Sequence, residues 1–186
     1  MKYFTYDLWC DINSSCKEEQ DKADLQWNEN LVAYWKHFEE IKDRLPAPFL
    51  KTYFDHGCFH DFKLANISTT NLAYGKKNPI WLHIDIENDG ITYRIIYKKV
   101  KKILIDFNET DHTEGRRGFD DWGYSEFLPV DDKTLQHEIL FASGATVLVQ
   151  FQNKSIQIKR LAQKPSPKII PNTTQTRNSS SSDTSC

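Results

Sequence analysis

The stretch IWLHIDIENDGITYRIIY, which covers residues 80–97, decides the fold class of this chain. Every second residue from Ile80 to Ile86 is isoleucine or leucine, and this period of two is typical of a strand with one buried face. Asp89 and Gly90 follow, and this pair is a strong signal for the turn of a two-residue hairpin. The alternation resumes after the turn. The stretch therefore predicts two antiparallel strands joined by a tight turn.

Further alternating stretches occur at short spacing along the chain. They lie at residues 62–68, 100–107, 135–142, 146–151 and 155–161. Ser-Gly-Ala and Asn-Lys turns separate the last three. Short connections of this kind join neighbouring antiparallel strands, so we predict an antiparallel, meander-like sheet of about six strands.

The N-terminal part of the chain has a helical period instead. Large apolar residues recur there at intervals of four and three, which places them on one stripe of a helix. The stripe consists of Trp27, Leu31, Tyr34, Phe38, Ile41 and Leu45. Pro46 and Pro48 stop the pattern, because residues before a proline disfavour helical backbone angles. Thr5 is a candidate N-cap for a shorter helix that precedes the stripe. The chain is thus predicted to be an α+β protein whose N-terminal helices pack on the sheet.

The length of 186 residues suits a single domain. We assign this domain to residues 1–161, with a helical part at 1–48 and a sheet part at 49–161. The remaining segment, 162–186, is rich in proline, serine and threonine and has no apolar period. This composition predicts a disordered tail.

The charge balance and hydropathy exclude two classes of partner. The chain has 24 Lys and Arg against 26 Asp and Glu, which gives a formal net charge of −2. A chain without a basic excess lacks the electrostatic attraction on which nucleic-acid binding depends, so no nucleic acid is expected. No apolar run approaches the roughly 18 residues of a membrane span, so no membrane partner is expected either.

Simple sequence signals also bear on cofactors and compartment. The chain has no phosphate-binding loop and no dinucleotide-binding glycine pattern, so no cofactor is expected. Its cysteines, Cys10, Cys16, Cys58 and Cys186, lack paired spacing and are expected to be reduced thiols. The first residues contain no continuous apolar segment of the kind found in secretory signals. These features predict a cytoplasmic protein.

The densest group of metal-ligating side chains is DHGCFHD at residues 55–61. In an extended backbone His56, Cys58 and His60 point to the same side, and with Asp61 they offer ligands for zinc or iron. This arrangement supports one hypothesis, a metal-dependent hydrolase. The other interpretation is structural, because the glycine favours a turn that leads from the helical part into the first strand.

The long polar stretch from Asn108 to Asp132 is predicted to lack regular structure. Loops of this length are often functional, and this one combines aromatic and charged residues. Its candidate partner-binding residues are Arg116, Arg117, Phe119, Trp122 and Tyr124, because arginine and large aromatic rings dominate binding energy at protein interfaces. The alternative is that Trp122 and Phe127 fold back and plug the open end of the sheet.

Several segments resemble those of a known family when they are taken in order. They are KYFTYDLW at 2–9, WNENLVAYWKHF at 27–38, the His-Asp step at 60–61, DDWGYSEF at 120–127 and LQHEILFASGATVLVQF at 135–151. Together they resemble a family of small uncharacterised bacterial proteins, a domain of unknown function. The likeness spans roughly residues 2–160. It implies no activity, cofactor or catalytic residue.

Two functional hypotheses follow from the sequence. The first is a non-enzymatic bacterial protein that binds another protein, as small α+β immunity proteins do. The second is the metal-dependent hydrolase centred on residues 55–61. The first is preferred, because no nucleophile and base occur in a recognisable catalytic arrangement.

Overall fold

A computed structural model describes residues 1–72, 75, 77, 79–108 and 118–162 of the chain. The N-terminal part is helical, and Thr5 caps its first helix by accepting a hydrogen bond from the Leu8 amide at 3.3 Å. The helices are α1 (Tyr6–Ile12), α2 (Lys17–Ile41) and α3 (Ala47–Asp55), with short 3-10 turns at Lys42–Arg44 and Gly57–Phe59.

The described residues after the helices form eight strands in two antiparallel sheets. The strands are β1 (Lys63–Asn71), β2 (Ile80–Asn88), β3 (Ile91–Tyr97), β4 (Val100–Asp106), β5 (Trp122–Asp131), β6 (Thr134–Phe141), β7 (Thr146–Gln152) and β8 (Ile156–Leu161). One sheet has the order β1-β2-β3-β8, and the other has the order β4-β7-β6-β5. The predicted α+β class with N-terminal helices is confirmed. The strands are more numerous than the six predicted, and they form two sheets of four.

The hairpin predicted from residues 80–97 is confirmed as β2 and β3. Ile84 pairs with Ile95 in the antiparallel register, and both are fully buried. Asp89 and Gly90 both have positive φ, 47° and 73°, as a tight hairpin turn of the primed type requires. The sequence period of two therefore corresponds to one buried face, as predicted.

One hydrophobic core joins the helices to both sheets. Of the predicted stripe, Tyr34, Phe38 and Ile41 of α2 are buried, as is Leu45, which follows the 3-10 turn after α2. Trp27 and Leu31 are partly buried against the same core. Between the sheets, Tyr97 of β3 packs edge-on against Phe151 of β7 with ring centroids 5.3 Å apart. The predicted packing of the stripe on the sheet part is thus confirmed.

The predicted boundary at residue 48 between helical and sheet parts is wrong, because α3 extends the helical part. Pro48 lies in the first turn of α3, where a backbone N–H has no helical partner to lose. Phe49 and Tyr53, one turn apart, are both buried and hold the helix on the core. The first strand begins only at Lys63.

The prediction that the stretch from Asn108 to Asp132 lacks regular structure is wrong for its second half, which is β5. The strand does not alternate in sequence, because its register shifts between Trp122 and Tyr124. Ser125, Glu126 and Phe127 are consecutive and all buried, so both faces of the strand are covered. A strand with a bulge and two buried faces has no period of two to detect.

The predicted tail, 162–186, lies outside the described residues apart from Ala162. Within the described ranges, no helix is both long enough and apolar enough to cross a membrane.

Candidate functional site

An apolar pocket of about 170 Å³ lies where α2, the turn after α3 and β5 meet. We call it the α2–β5 pocket. Its principal lining residues are Phe4, Leu31, Trp35, Cys58, His60 and Tyr124. It therefore brings together Cys58 and His60 from the predicted metal stretch and Tyr124 from the predicted partner-binding set.

The turn after α3 presents Cys58 to the pocket through an unusual backbone. Gly57, Cys58 and Phe59 have successive positive φ angles of 57°, 59° and 65°. The left-handed conformation costs about 1–2 kcal/mol for each residue with a side chain. Burial of Phe59 offsets this cost, since its ring is fully buried and packs edge-on against Tyr53 and Trp122.

Tyr124 reaches the pocket because β5 kinks at Gly123. A Cβ atom at residue 123 would lie 3.2 Å from the carbonyl oxygen of Leu140, so glycine permits the close approach of β6 at this bulge. The Tyr124 ring then packs against Trp27 with centroids 4.5 Å apart and stacks on Phe4 at 5.7 Å. These contacts hold the ring in one position at the pocket wall.

The polar groups at the pocket bond to one another. The Tyr53 hydroxyl lies 2.9 Å from Ser125 Oγ, and both residues are buried. Burial raises the pKa of the Cys58 thiol and raises the pKa of Tyr53 well above its usual value. Both groups are therefore protonated at neutral pH, and the thiol is not an activated nucleophile.

The four candidate metal ligands do not meet at one point. His56 Nε2 lies 2.8 Å from the Tyr93 hydroxyl, whereas Cys58 and His60 both line the pocket, and His60 Nδ1 is 2.9 Å from Asp61 Oδ1. In the described part of the chain, no three histidine, cysteine, aspartate or glutamate residues form a group that could hold a metal ion. The stretch instead forms the end of α3 and the turn that leads into β1.

The described candidate partner-binding residues, Phe119, Trp122 and Tyr124, do not form one surface. Arg116 and Arg117 lie outside the described residues. Phe119 is partly buried and packs against Phe141, whereas Trp122 is fully buried in the core. Of these three described residues, only Tyr124 lines the pocket.

The alternative for this stretch, in which Trp122 and Phe127 fold back and plug the open end of the sheet, predicted their burial but not their position, because both belong to strand β5 of the second sheet. Trp122 and Phe127 both have no exposed surface.

Sequence reasoning missed several pocket residues. Leu31 belongs to the apolar stripe of α2 and Trp35 lies next to that stripe, so the sequence does not distinguish either residue from the core. Tyr53 could have been found from its spacing of four with Phe49, which is a helical signal. Phe4 and Ser125 carry no local signal, because only the fold brings them to the pocket.

Comparison of the chain with known proteins identifies no family to which it belongs. No family model matches it, and no curated protein matches it. The resemblance to a family of small bacterial proteins therefore stays a prediction.

Proposed function

We propose that the chain is a non-enzymatic protein-binding protein and that the α2–β5 pocket receives one apolar side chain of its partner. The observation that carries this proposal is the size and lining of the pocket. Its volume of about 170 Å³ is close to the roughly 150 Å³ of a cavity that holds one benzene molecule. One leucine, methionine or phenylalanine side chain fits such a volume.

The chemistry of the pocket favours binding over catalysis. Its thiol is protonated, and its tyrosine hydroxyl and serine are bonded to one another. A cysteine nucleophile needs a lowered pKa or an adjacent base, whereas burial shifts the pKa of Cys58 in the opposite direction. The alternative of a metal-dependent hydrolase has no observation in its favour among the described residues.

The surroundings of the pocket favour a protein over a small molecule. Pockets for drug-sized ligands usually measure about 300–1,000 Å³, which is larger than this one. The pocket residue Trp35 is half-buried, and its ring centroid lies 5.9 Å from that of Phe54, which is 45% exposed. Exposed aromatic rings around an apolar anchor pocket are typical of protein interfaces.

The class of partner follows from the sequence-based hypothesis. We expect another bacterial protein that this chain inhibits or regulates, in the manner of small α+β immunity proteins. That expectation rests on size and fold class, since a fold by itself does not specify a function.

Site-specific photo-crosslinking tests the proposal. A benzophenone amino acid replaces His60, whose exposed side chain lies at the pocket rim. A second sample carries the same group at Ser68, an exposed position on β1. Both proteins are irradiated in lysate of the source organism. We expect one protein adduct from position 60 that position 68 does not give.

Two matched substitutions on α2 complete this experiment. Leu31→Trp fills the pocket, whereas Val32→Trp adds the same side chain at a position that is 72% exposed. We expect the first substitution to abolish the adduct from position 60 and the second to preserve it. An adduct that survives Leu31→Trp, or that forms equally from both crosslinker positions, would refute the proposal.

A further inference from the structure

The second sheet has one edge that no described strand covers. β4 pairs with β7 on one side and is the outermost strand of its sheet. The opposite edge, at β5, is covered, because the Phe127 amide donates to the Tyr34 hydroxyl at 3.1 Å and the Trp122 amide donates to the Phe62 carbonyl at 2.6 Å. An uncovered edge offers its backbone N–H and C=O groups to another strand.

The uncovered edge also exposes apolar side chains between charged ones. Leu104 and Ile105 of β4 are 49% and 44% exposed, and Phe107 just after it is 41% exposed. Lysine on an edge strand usually opposes pairing with another chain. Here the Lys101 ammonium instead contacts the Thr134 hydroxyl of its own chain. This lysine is thus held on its own sheet.

The sequence of this edge is self-complementary. The five residues that start at Lys102 read KILID. When two copies pair antiparallel about Leu104, Lys102 of each copy faces Asp106 of the other. In the same register Ile103 faces Ile105. Opposite charges and branched apolar residues are the cross-strand pairs that stabilise antiparallel sheets.

The register of β4 with β7 supports this pairing. Ile103 and Ile105 pair with the buried Val149 and Val147, so both isoleucines lie on the core side of the sheet. Because side chains alternate along a strand, Lys102, Leu104 and Asp106 share the outer side. In the described ranges neither Lys102 nor Asp106 has an ion-pair partner, and both are exposed.

We propose that the protein forms a two-fold symmetric homodimer in which β4 pairs antiparallel with β4 of a second copy about Leu104. The two four-stranded sheets then form one sheet of eight strands across the dimer. A two-fold interface must be complementary to itself, and the KILID sequence satisfies this requirement in charge and in apolar character. The inference is independent of the α2–β5 pocket.

Substitutions that reverse the charge of Lys102 or Asp106 on β4 test the proposal. Sedimentation velocity of the full chain is measured over a range of concentrations, because an interface formed by one strand pair is small and the dimer is expected to be weak. Wild type should pass from monomer to dimer as concentration rises. Lys102→Asp and Asp106→Lys each place like charges opposite one another twice. Each should weaken self-association at least about tenfold.

Mixing the two variants gives the decisive result. In a mixed dimer the aspartates at positions 102 and 106 of one copy face lysines of the other, so an equimolar mixture should dimerise at concentrations at which either variant alone is monomeric. Lys159→Asp, an exposed position on β8, makes the same charge change as Lys102→Asp and should leave self-association unchanged. A wild type that is monomeric at every concentration would overturn the proposal, as would a mixture that stays monomeric.

Discussion

At the scale of single residues, His137 shows how the core accommodates a polar side chain. The residue is fully buried, its ring stacks on Phe127 with centroids 3.9 Å apart, and Nδ1 lies 2.7 Å from the Tyr97 hydroxyl. Burial lowers the pKa of His137 to about 3. The ring is therefore neutral at physiological pH and packs as an aromatic group. Its place on the buried face could be predicted, because Leu135, His137 and Ile139 alternate.

This histidine should make stability depend on pH. In the unfolded chain its pKa is near 6.5, whereas in the folded chain it is about 3. The unfolded state thus binds more protons between these values. The contribution of His137 is fully present above pH 6.5 and is lost as pH falls towards 3. Between pH 7 and pH 5 the free energy of unfolding should decrease by about 2 kcal/mol from this residue.

Urea unfolding at the two pH values measures this effect. His137→Phe keeps an aromatic ring and removes the titrating group, so the variant should lack this decrease of about 2 kcal/mol. Loss of the bond to Tyr97 lowers the stability of the variant at both pH values alike. If the variant loses as much stability as wild type between pH 7 and pH 5, the pH dependence does not arise from His137.

The left-handed turn at the pocket gives a second prediction at this scale. A Cβ atom at Gly57 would meet no atom within 4 Å, so Gly57→Ala is opposed only by the backbone conformation. We expect the free energy of unfolding to fall by about 1 kcal/mol. At Gly144 a Cβ atom would lie 2.9 Å from Tyr6 Cζ, so Gly144→Ala should cost more. Equal melting temperatures of wild type and Gly57→Ala would show that the turn is not left-handed.

At the scale of secondary structure, local sequence patterns predict the helices and strands whose buried residues recur at a regular interval. They do not predict the elements that lack such an interval. The β2–β3 hairpin and α2 each have one buried face, so their periods are visible in the sequence. α3 could not be predicted because Pro48 was expected to stop the helix, whereas the first turn of a helix tolerates proline. β5 could not be predicted because its bulge and its two buried faces remove the alternation of apolar and polar residues. The division into two sheets depends on pairing between strands that are distant in the sequence, and a local period does not indicate such pairing.

Glu126 of β5 ties the N-terminal segment to the sheet. Its carboxylate is fully buried and accepts hydrogen bonds from the backbone amides of Lys2, Tyr3 and Phe4 at 2.9, 2.6 and 2.7 Å. Phe4 is also a wall of the α2–β5 pocket. The strand that was missed in the sequence thus also positions part of the site.

Removing this charge should loosen the N-terminal segment. Glu126→Gln turns one acceptor oxygen into an NH₂ group that faces an amide donor. We expect the free energy of unfolding to fall by about 2–3 kcal/mol, the range for bonds to a charged group. Amide hydrogen exchange at Tyr3 and Phe4 should accelerate. Glu87→Gln, an exposed position on β2, makes the same chemical change away from the N-terminal segment, serves as a control and should preserve protection of both amides. Unchanged exchange in Glu126→Gln would contradict this role.

At the scale of the whole molecule, four distant segments of the chain form the α2–β5 pocket. They are the N-terminal residues, α2, the end of α3 with its turn, and β5. Cys58, His60 and Tyr124 could be singled out from sequence for their chemistry, but not as neighbours. Their convergence depends on the packing of helices on the second sheet. The arrangement favours a preformed binding site, because most of its walls lie on helices and a strand.

The measurement that tests the pocket most directly is an NMR titration of the ¹⁵N-labelled protein with N-acetyl-phenylalaninamide. This probe carries one aromatic side chain between two peptide-like groups, so it mimics an anchor residue of a partner protein. We expect weak binding, with a Kd on the order of millimolar. Chemical-shift changes should concentrate at Leu31, Cys58 and Tyr124. Leu31→Trp should abolish these changes, whereas Val32→Trp should leave them intact. Shifts that lie away from the pocket, or that persist in Leu31→Trp, would contradict the account.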